Sequence, residues 1–556
     1  MLRSAGRVDL VSVNPRAAPK QDMSFYPLVA SRERYRDDYW RERDPIVEHR
    51  LLWRAHTFRH IVHLLPGQTI LELGCGEGLF TRALLQVSRG ENPITAVRFQ
   101  EGAHSLPEVV GKVELLSASK FPGELIGRHF DYVVGMDLFD RSYASELLEI
   151  MHGLLAPGGA LVFYESNPGN PVYKIRRILS RFADDPDPRN LLTRKALCDL
   201  LLTTGFIQVA ALYNDFVYAP LTRRLIWLLR NLSILFENAP GLQKMAGSIL
   251  LHAQKAPERQ DVPTQPFLIH QSLRDAVSFV VPCHNEEMNI RPLVQRILDL
   301  YGFCVHEIIL VNDGSNDGTA TIINQLASEH ECVKPVHRNP PNGVGRAIAE
   351  GLSKAGGRYV LTMDCDFQHL LPEFRDLFDG IVEGYDVVVG SRFSRHSVLL
   401  NYPFLKIVAN RGFHLLARLL LLRTFRDLTN NLKLMDRRVV EDLRLRQAGF
   451  AVNAETGLQP LIVGYRIKEV PISWINRFPG MGASSFHLLR AGGGYWRVLF
   501  DIWVKQVFGI GHIEIWRGAM RKTNASDGNS WRKQLPPSAC STTMVTSRPC
   551  DPAQTH

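Results

Sequence analysis

No window of the 556-residue chain offers the roughly twenty uncharged apolar residues that a membrane-spanning helix needs, so the sequence predicts no transmembrane segment. Two stretches approach that composition and are broken by arginine. They are Leu221 to Phe236, with Arg223, Arg224 and Arg230, and Phe413 to Phe425, with Arg418 and Arg423. Helices of this kind either lie in a membrane interface with the arginine heads reaching phosphates, or pack in a core with arginines at its edge. Tyr495 to Phe508 is a third amphipathic candidate. Cysteine is scattered: eight residues, no Cys-x-x-Cys pair and no metal-ligand spacing, the usage of reduced thiols in a cytoplasmic protein. The apolar run within Met1 to Val13 is too short and too interrupted for a signal peptide. No tight Lys/Arg block interleaved with aromatics is present, which argues against nucleic acid as a partner. The net charge of +9 instead favours phosphorylated substrates or the anionic inner face of a plasma membrane, contacted peripherally.

The length calls for more than one core. Residues 1–25 carry Pro, Arg, Ser and Lys without periodicity and are expected to form a mobile arm. Asp44-Pro45 reads as a helix start, with Asp as N-cap and Pro in the first turn, and Pro66-Gly67 as its stop. A first α/β domain is expected over 26–252 and a polar, Pro-containing linker over 253–275. A second α/β domain follows over 276–517, then a Ser/Thr/Pro-rich disordered tail over 518–556.

In the second domain, Tyr359 to Met363 reads as a short buried strand that delivers Asp364 and Asp366 on either side of Cys365. Carboxylates one residue apart at a strand's end put hard oxygens within reach of one Mg²⁺ or Mn²⁺, which completes its shell with substrate phosphates. Three earlier strands, ending near Cys283, Asn312 and Arg338, also terminate in polar residues. Open α/β sheets bind ligands at that carboxyl edge, which makes the aspartate pair a candidate metal-diphosphate centre. In the first domain, Thr69-Ile-Leu-Glu-Leu-Gly-Cys-Gly-Glu-Gly78 reads as strand and glycine turn, opening a helix at Leu79.

Leu71-Glu-Leu-Gly-Cys-Gly-Glu-Gly78 and Leu154-Leu-Ala-Pro-Gly-Gly-Ala-Leu-Val162 resemble the first and the late strand motifs of class I S-adenosylmethionine-dependent methyltransferases, a likeness covering about residues 40–215. It implies a Rossmann-like fold with Glu72, Gly74, Cys75 and Gly76 facing the amino-acid end of S-adenosylmethionine. The sequence departs from that pattern after the second strand, where Ile94-Thr-Ala-Val97 leads into Arg98 instead of an acidic residue. Glu101 is the substitute for the ribose contact. No methyl-acceptor site is legible, although Phe163-Tyr-Glu-Ser-Asn-Pro168 ends a strand where one would lie.

The second domain resembles the family 2 glycosyltransferases of GT-A fold, dolichol-phosphate mannosyltransferase type, over about residues 275–490. Val281-Pro-Cys-His-Asn-Glu-Glu287 resembles the opening nucleotide motif, which makes Pro282, His284 and Glu286 donor-binding candidates. Val311-Asn-Asp-Gly-Ser-Asn-Asp-Gly-Thr319 adds Asp313. Met363-Asp-Cys-Asp-Phe-Gln-His369 resembles the metal motif, with Gln368 joining Asp364 and Asp366. Asp427-Leu-Thr-Asn-Asn431 resembles the acceptor segment, and Glu455 sits where the family carries an acidic residue. Arg392 and Arg477 are candidates for donor phosphates and Arg411 for an acceptor phosphate, since Arg meets phosphate oxygens bidentately. In the closing loop, Ser485-Phe486 stands where the family has Ser-Lys, one cation fewer.

The resemblance implies transfer of a sugar from a nucleotide sugar to a polyprenyl phosphate, or to a saccharide in cell-surface glycan synthesis. A phosphate acceptor is already a nucleophile near neutral pH; a sugar hydroxyl requires a base, and Asp427 or Glu455 is the candidate. A non-catalytic scaffold remains the other reading of the first domain.

Overall fold

The computed structural model describes residues 25–508 except 103–105, 181–188, 218–225, 258–265, 395, 401 and 476–487. The expected disordered tail, the middle of the expected linker and Arg477 with its closing loop lie outside the described residues, as does the expected arm apart from its last residue.

Two seven-stranded sheets stand in tandem. The first is built from β1 (Ile70–Leu73), β2 (Ile94–Arg98), β3 (Glu114–Ser117), β4 (Phe130–Met136), β5 (Leu155–Ser166), β6 (Ile207–Asn214) and β7 (Ser248–Gln254), in the order β3-β2-β1-β4-β5-β7-β6. β1 to β5 run parallel, and β7 is inserted antiparallel to both β5 and β6. The order reverses direction between β1 and β4, which opens a crevice at their carboxyl ends, beside the glycine turn. Gly74 and Gly76 adopt φ of +69° and +53°, a conformation that favours glycine and makes that turn possible.

The second sheet uses β8 (Val277–Cys283), β9 (Val305–Asn312), β10 (Val333–His337), β11 (Tyr359–Thr362), β12 (Val387–Ser391), β14 (Lys433–Asp436) and β15 (Ile467–Pro471), while β13 (Val398–Leu400) and β16 (Ser473–Ile475) pair separately. Its order is β10-β9-β8-β11-β14-β12-β15, with β14 antiparallel to β11 and β12. β8 and β11 are almost fully buried apolar runs, as strands covered on both faces must be. The two halves are thus Rossmann-like α/β domains, and the second has the mixed sheet of a GT-A type transferase.

Helix α1 (Tyr26–Arg43) has no counterpart in the apolar pattern, and α2 (Val47–Ile61) is shorter than the expected helix at both ends. Asp44 follows α1 as its C-cap; its carboxylate accepts from Ile46 N and Arg50 Nε, at 3.1 and 2.9 Å. The arginine-bearing stretch near 230 forms the helix Ile226–Glu237, whose Ile234 packs with Phe393, Leu399, Tyr402 and Ile407 of the second half. Among the described residues no helix is long and apolar enough to cross a membrane.

Helix Val452–Val463 lies against the segment between Phe425 and Asn431 so closely that a Cβ at Gly457 would stand 2.0 Å from the Leu428 carbonyl oxygen. Backbone, not a flexible side chain, blocks that space. Gly457→Ala is therefore expected to destabilise the protein by about 1–3 kcal/mol, visible as a lower midpoint in thermal unfolding; an unchanged midpoint would contradict this packing.

Candidate functional site

Four strand ends of the second sheet converge at one edge. β8 delivers His284 and Glu286 after the half-buried Pro282; His284 Nδ1 lies 2.9 Å from the Asp313 carbonyl, joining the first two loops. Asp313 is buried and accepts from the Gly343 amide at 2.7 Å and from Arg338, whose Nε reaches Glu350 at 3.0 Å. β11 ends at Thr362, and Asp364 accepts from Asn431 Nδ2 at 2.7 Å. Burial and then the neighbouring Asp366 push the Asp364 carboxyl up to about 7. Two like charges held together in that way are what a divalent cation relieves. Carboxylate oxygens of this kind are the donors that Mg²⁺ and Mn²⁺ take, with substrate phosphates completing the shell. Among the described residues there is no group of three His, Cys, Asp or Glu placed to hold a metal. The side chain of Gln368 lies outside the described residues.

Behind this edge Arg392 forms a two-pronged pair with Asp427, Nε to Oδ2 at 2.7 Å and Nη2 to Oδ1 at 2.9 Å. Asp427 is 0% exposed and also accepts from the Arg392 amide and from Thr429 Oγ1. Although burial opposes it, Arg392 holds the Asp427 carboxyl far below the usual range. Glu455 is likewise buried and engaged, accepting from the amides of Arg446 and Gln447. Arg411 stacks 4.1 Å above the Phe393 ring and donates to the Arg426 carbonyl; burial pushes it down to about 10. Asn431, quoted in the acceptor-like segment, orients Asp364, a role its motif does not indicate. Glu469, which accepts from the Asp427 amide at 2.6 Å, and the fully buried Lys433, bonded to the carbonyls of Asn430 and Asn453, have no motif at all. The antiparallel β11–β14 pairing brings Asn431 and Lys433 near the aspartates, a contact that no local pattern announces.

The edge of the first sheet is closed from within. Glu33 of α1, 0% exposed, accepts from the amides of Gly76, Phe99 and Gln100 at 2.8, 3.0 and 2.5 Å. Asp37 accepts from the Glu77 amide and from Gln100 Nε2, and its Oδ2 lies 1.9 Å from where a Gly76 Cβ would be. Arg36 pairs with Asp37, donates to the Met136 carbonyl and stacks on Trp40. Arg32 donates to the Asp137 carbonyl and to Asp140. Glu72, Gly74 and Cys75 do line a cavity at the end of β1, but Arg36 and Trp40 of α1 line it too, and Gly76 is taken by Glu33 and Asp37. Glu101 stands exposed past β2, while Glu33 takes the amides there and Arg98 donates to the Gly76 carbonyl. As folded, these residues do not fit S-adenosylmethionine: the amides that would meet it already have protein partners.

With the geometry in place, the comparisons define a class. Residues 278–444 match the family described as Glycosyl transferase family 2, so the second half carries a domain of that family. Among individual proteins, the chain is 29% identical over 222 residues to dolichol-phosphate mannosyltransferase of Pyrococcus furiosus, a match covering 38% of this chain and 62% of that one. It is 28% identical over 220 residues to polyprenol monophosphomannose synthase of Mycolicibacterium smegmatis, covering 38% of this chain and 82% of that one. The chain thus spans less than two thirds of the length of the Pyrococcus protein. A solved S-adenosylmethionine-dependent methyltransferase of Archaeoglobus fulgidus is 16% identical with a TM-score of 0.26, covering 36% of this chain and 92% of that one. A score of that size adds nothing to what the strand order already gives.

The cavity lined by α1 and the buried Glu165 of β5 each carry an expected outcome. Titrating S-adenosylmethionine into the full chain by calorimetry gives no heat of binding; micromolar binding would show that α1 leaves its crevice readily. Glu165, held by the amides of Leu138 and Phe139, is pushed up to about 8 by burial and by Asp137. A carboxyl raised above its ordinary value near 4.3 contributes stability that is full at acid pH and lost as pH climbs toward 8. Glu165→Gln should therefore melt progressively higher than the parent between pH 5 and pH 8, and a pH-independent difference would contradict the assignment.

Proposed function

We propose that the second domain transfers a sugar from a nucleotide sugar to the phosphate of a polyprenyl phosphate, with Mg²⁺ or Mn²⁺ held between Asp364, Asp366 and the donor diphosphate. One observation carries the choice of acceptor. The two carboxylates that would activate a sugar hydroxyl are both engaged: Asp427 in its pair with Arg392, Glu455 on backbone amides. Asp427, kept so far below its usual range, is a poor base. Glu455 is raised by burial, but both its oxygens are turned to the amides of Arg446 and Gln447. A phosphate acceptor instead brings its own nucleophilic oxygen. The relatives named as dolichol-phosphate and polyprenol-phosphate enzymes support the same reading.

The cation, when bound, would neutralise charge on the departing diphosphate. The chain's own residues do the remainder. Asp313, fixed by Arg338 and Gly343, presents its loop to the nucleoside; His284 ties that loop to the end of β8. An acceptor phosphate oxygen attacks the anomeric carbon, the bond from that carbon to the diphosphate breaks with inversion, and the nucleoside diphosphate leaves. Arg411, beside Asp427, is the candidate to receive the acceptor phosphate. Asp366 serves the reaction as a metal ligand, and Gln368 and Arg477 are assigned to metal and donor by their motifs alone.

A lipid acceptor also accounts for the apolar surface next to Arg411. Leu415, Leu419 and Leu422, together with Trp496 and Phe500 of helix Leu488–Phe508, are exposed beside Arg418 and Arg423. Apolar side chains with flanking arginines suit peripheral contact with an anionic bilayer face. The first domain is read as non-catalytic, because its crevice is lined by α1, whose Glu33 and Asp37 take the amides there.

The test combines purified full chain, a panel of labelled nucleotide sugars, Mg²⁺ or Mn²⁺, and polyprenyl phosphate in vesicles. Label is expected in the organic extract and is expected to fall by about 10³-fold in Asp366→Ala. Label in soluble oligosaccharide would favour the saccharide acceptor, and no turnover with any donor would sink the transferase reading.

A further inference from the structure

The first domain's crevice is occupied from within, yet the domain is not an appendage: α2 docks against β13 and β16 of the second half. His60 of α2 is fully buried, and its Nδ1 lies 2.8 Å from Glu373 Oε1, itself 2% exposed. Glu373 also accepts from the Ser473 amide at 2.8 Å and from the Ser473 hydroxyl. Burial alone would raise the Glu373 pKa; His60 and Ser473 outweigh it and keep the carboxyl below its ordinary value.

The place of Glu373 in the chain gives this contact its meaning. It is the last residue of the 3₁₀ helix Phe367–Glu373, whose N-cap is Asp366. One short helical element therefore runs from the aspartate pair to the carboxylate that the first domain holds. Its middle is fixed as well, by Tyr301 donating to the Leu371 carbonyl at 2.6 Å. Around it Arg59 takes Asp376 in a forked pair at 3.1 and 3.4 Å, and Arg375 pairs with Glu91.

We infer that the first domain is a positioning domain for the transferase site, and that His60, through Glu373, sets where the 3₁₀ helix holds Asp366 and its neighbour Asp364. The inference rests on the proposed metal-diphosphate site. Without His60, Glu373 stays buried with Ser473 as its only remaining partner of the two. A buried carboxylate that has lost a close polar partner moves toward water or takes up a proton, and either shifts the helix it terminates. His60 and Glu373 are positioning residues; neither contacts substrate.

The experiment reads Mn²⁺ binding in the presence of UDP and, separately, of GDP, by calorimetry on the full chain, with folding followed by circular dichroism. The parent should bind Mn²⁺ with one nucleotide, and Asp366→Ala should not; equal binding by both removes the metal-site reading, and this inference with it. Given that contrast, His60→Ala is expected to weaken Mn²⁺ binding by about tenfold, the usual scale for residues that orient metal ligands from behind. His60→Gln, which still offers Glu373 an N–H, should recover most of the loss. Arg89→Ala, cutting a rim contact to Asp376 and Asp379, should match the parent. Parent-like binding in folded His60→Ala overturns the inference. Where that variant does not fold, Glu373→Gln decides: weakened binding supports the relay, and unchanged binding overturns it.

Discussion

The forked pair between Arg392 and Asp427 fixes the second domain's working edge. Arg392 follows β12 directly, and Asp427 sits in the segment that leads into β14. Joining them clamps that segment, so that Asn431, four residues on, is held in reach of Asp364. Glu469 in β15 accepts from the amides of Arg426 and Asp427 and closes the clamp from the other side. A buried ion pair of this kind does little for stability overall, yet losing one partner costs about 3–5 kcal/mol because a buried charge is left alone. The pair is therefore better understood as a geometric device than as glue. It also explains why Asp427 is a poor proton acceptor: the contact that makes it a good anchor removes its basicity.

Both halves face one electrostatic problem, solved in opposite ways. Carboxyl edges of parallel sheets, with the amides of the following turns, attract anions. In the first half the protein supplies them: Glu33 and Asp37 take the amides after β1 and β2. In the second half the charge is reversed, because Asp364 and Asp366 add negative charge where the edge already carries Glu286. One edge is self-neutralised and closed; the other gathers carboxylates, which suits the proposed metal-diphosphate site.

That contrast also marks what the sequence could reveal. The strand ends carrying Asp313, Asp364 and Asp366 were legible because buried apolar runs stop abruptly at polar residues. The glycine turn at Gly74 was legible because only glycine tolerates its backbone angles. Helix α1 was not, since its inward face carries Arg32, Glu33, Arg36 and Asp37, and charged residues at helical spacing read as a solvated surface. The resemblance suggested a ribose contact near Glu101, but the amides at that point were met by a carboxylate more than sixty residues earlier in the chain. Asp427 was legible and its engagement was not, because its partner Arg392 lies 35 residues earlier, just past β12, and only the fold joins them.

The join between the halves follows from the same burial arithmetic. Val398 of the second half belongs to the first domain's core cluster, and Ile234 of the first packs among Phe393, Leu399 and Tyr402 of the second. His56 stacks on His396 with ring centres 4.4 Å apart, and Asn238 accepts from the Tyr402 amide. Sliding one half against the other would expose these apolar groups and unpair Arg59, Arg375 and Glu373 at once. Each loss alone is modest, but they fall together, because α2 and helix Ile226–Glu237 pack through one cluster, Trp53 with Ile226. The segment after Arg392 and the 3₁₀ helix after Asp366 are both gripped by that domain. The edge carrying the aspartates and the interface beneath it therefore share one short helix, joining the proposed site to a domain whose own crevice is lined by α1.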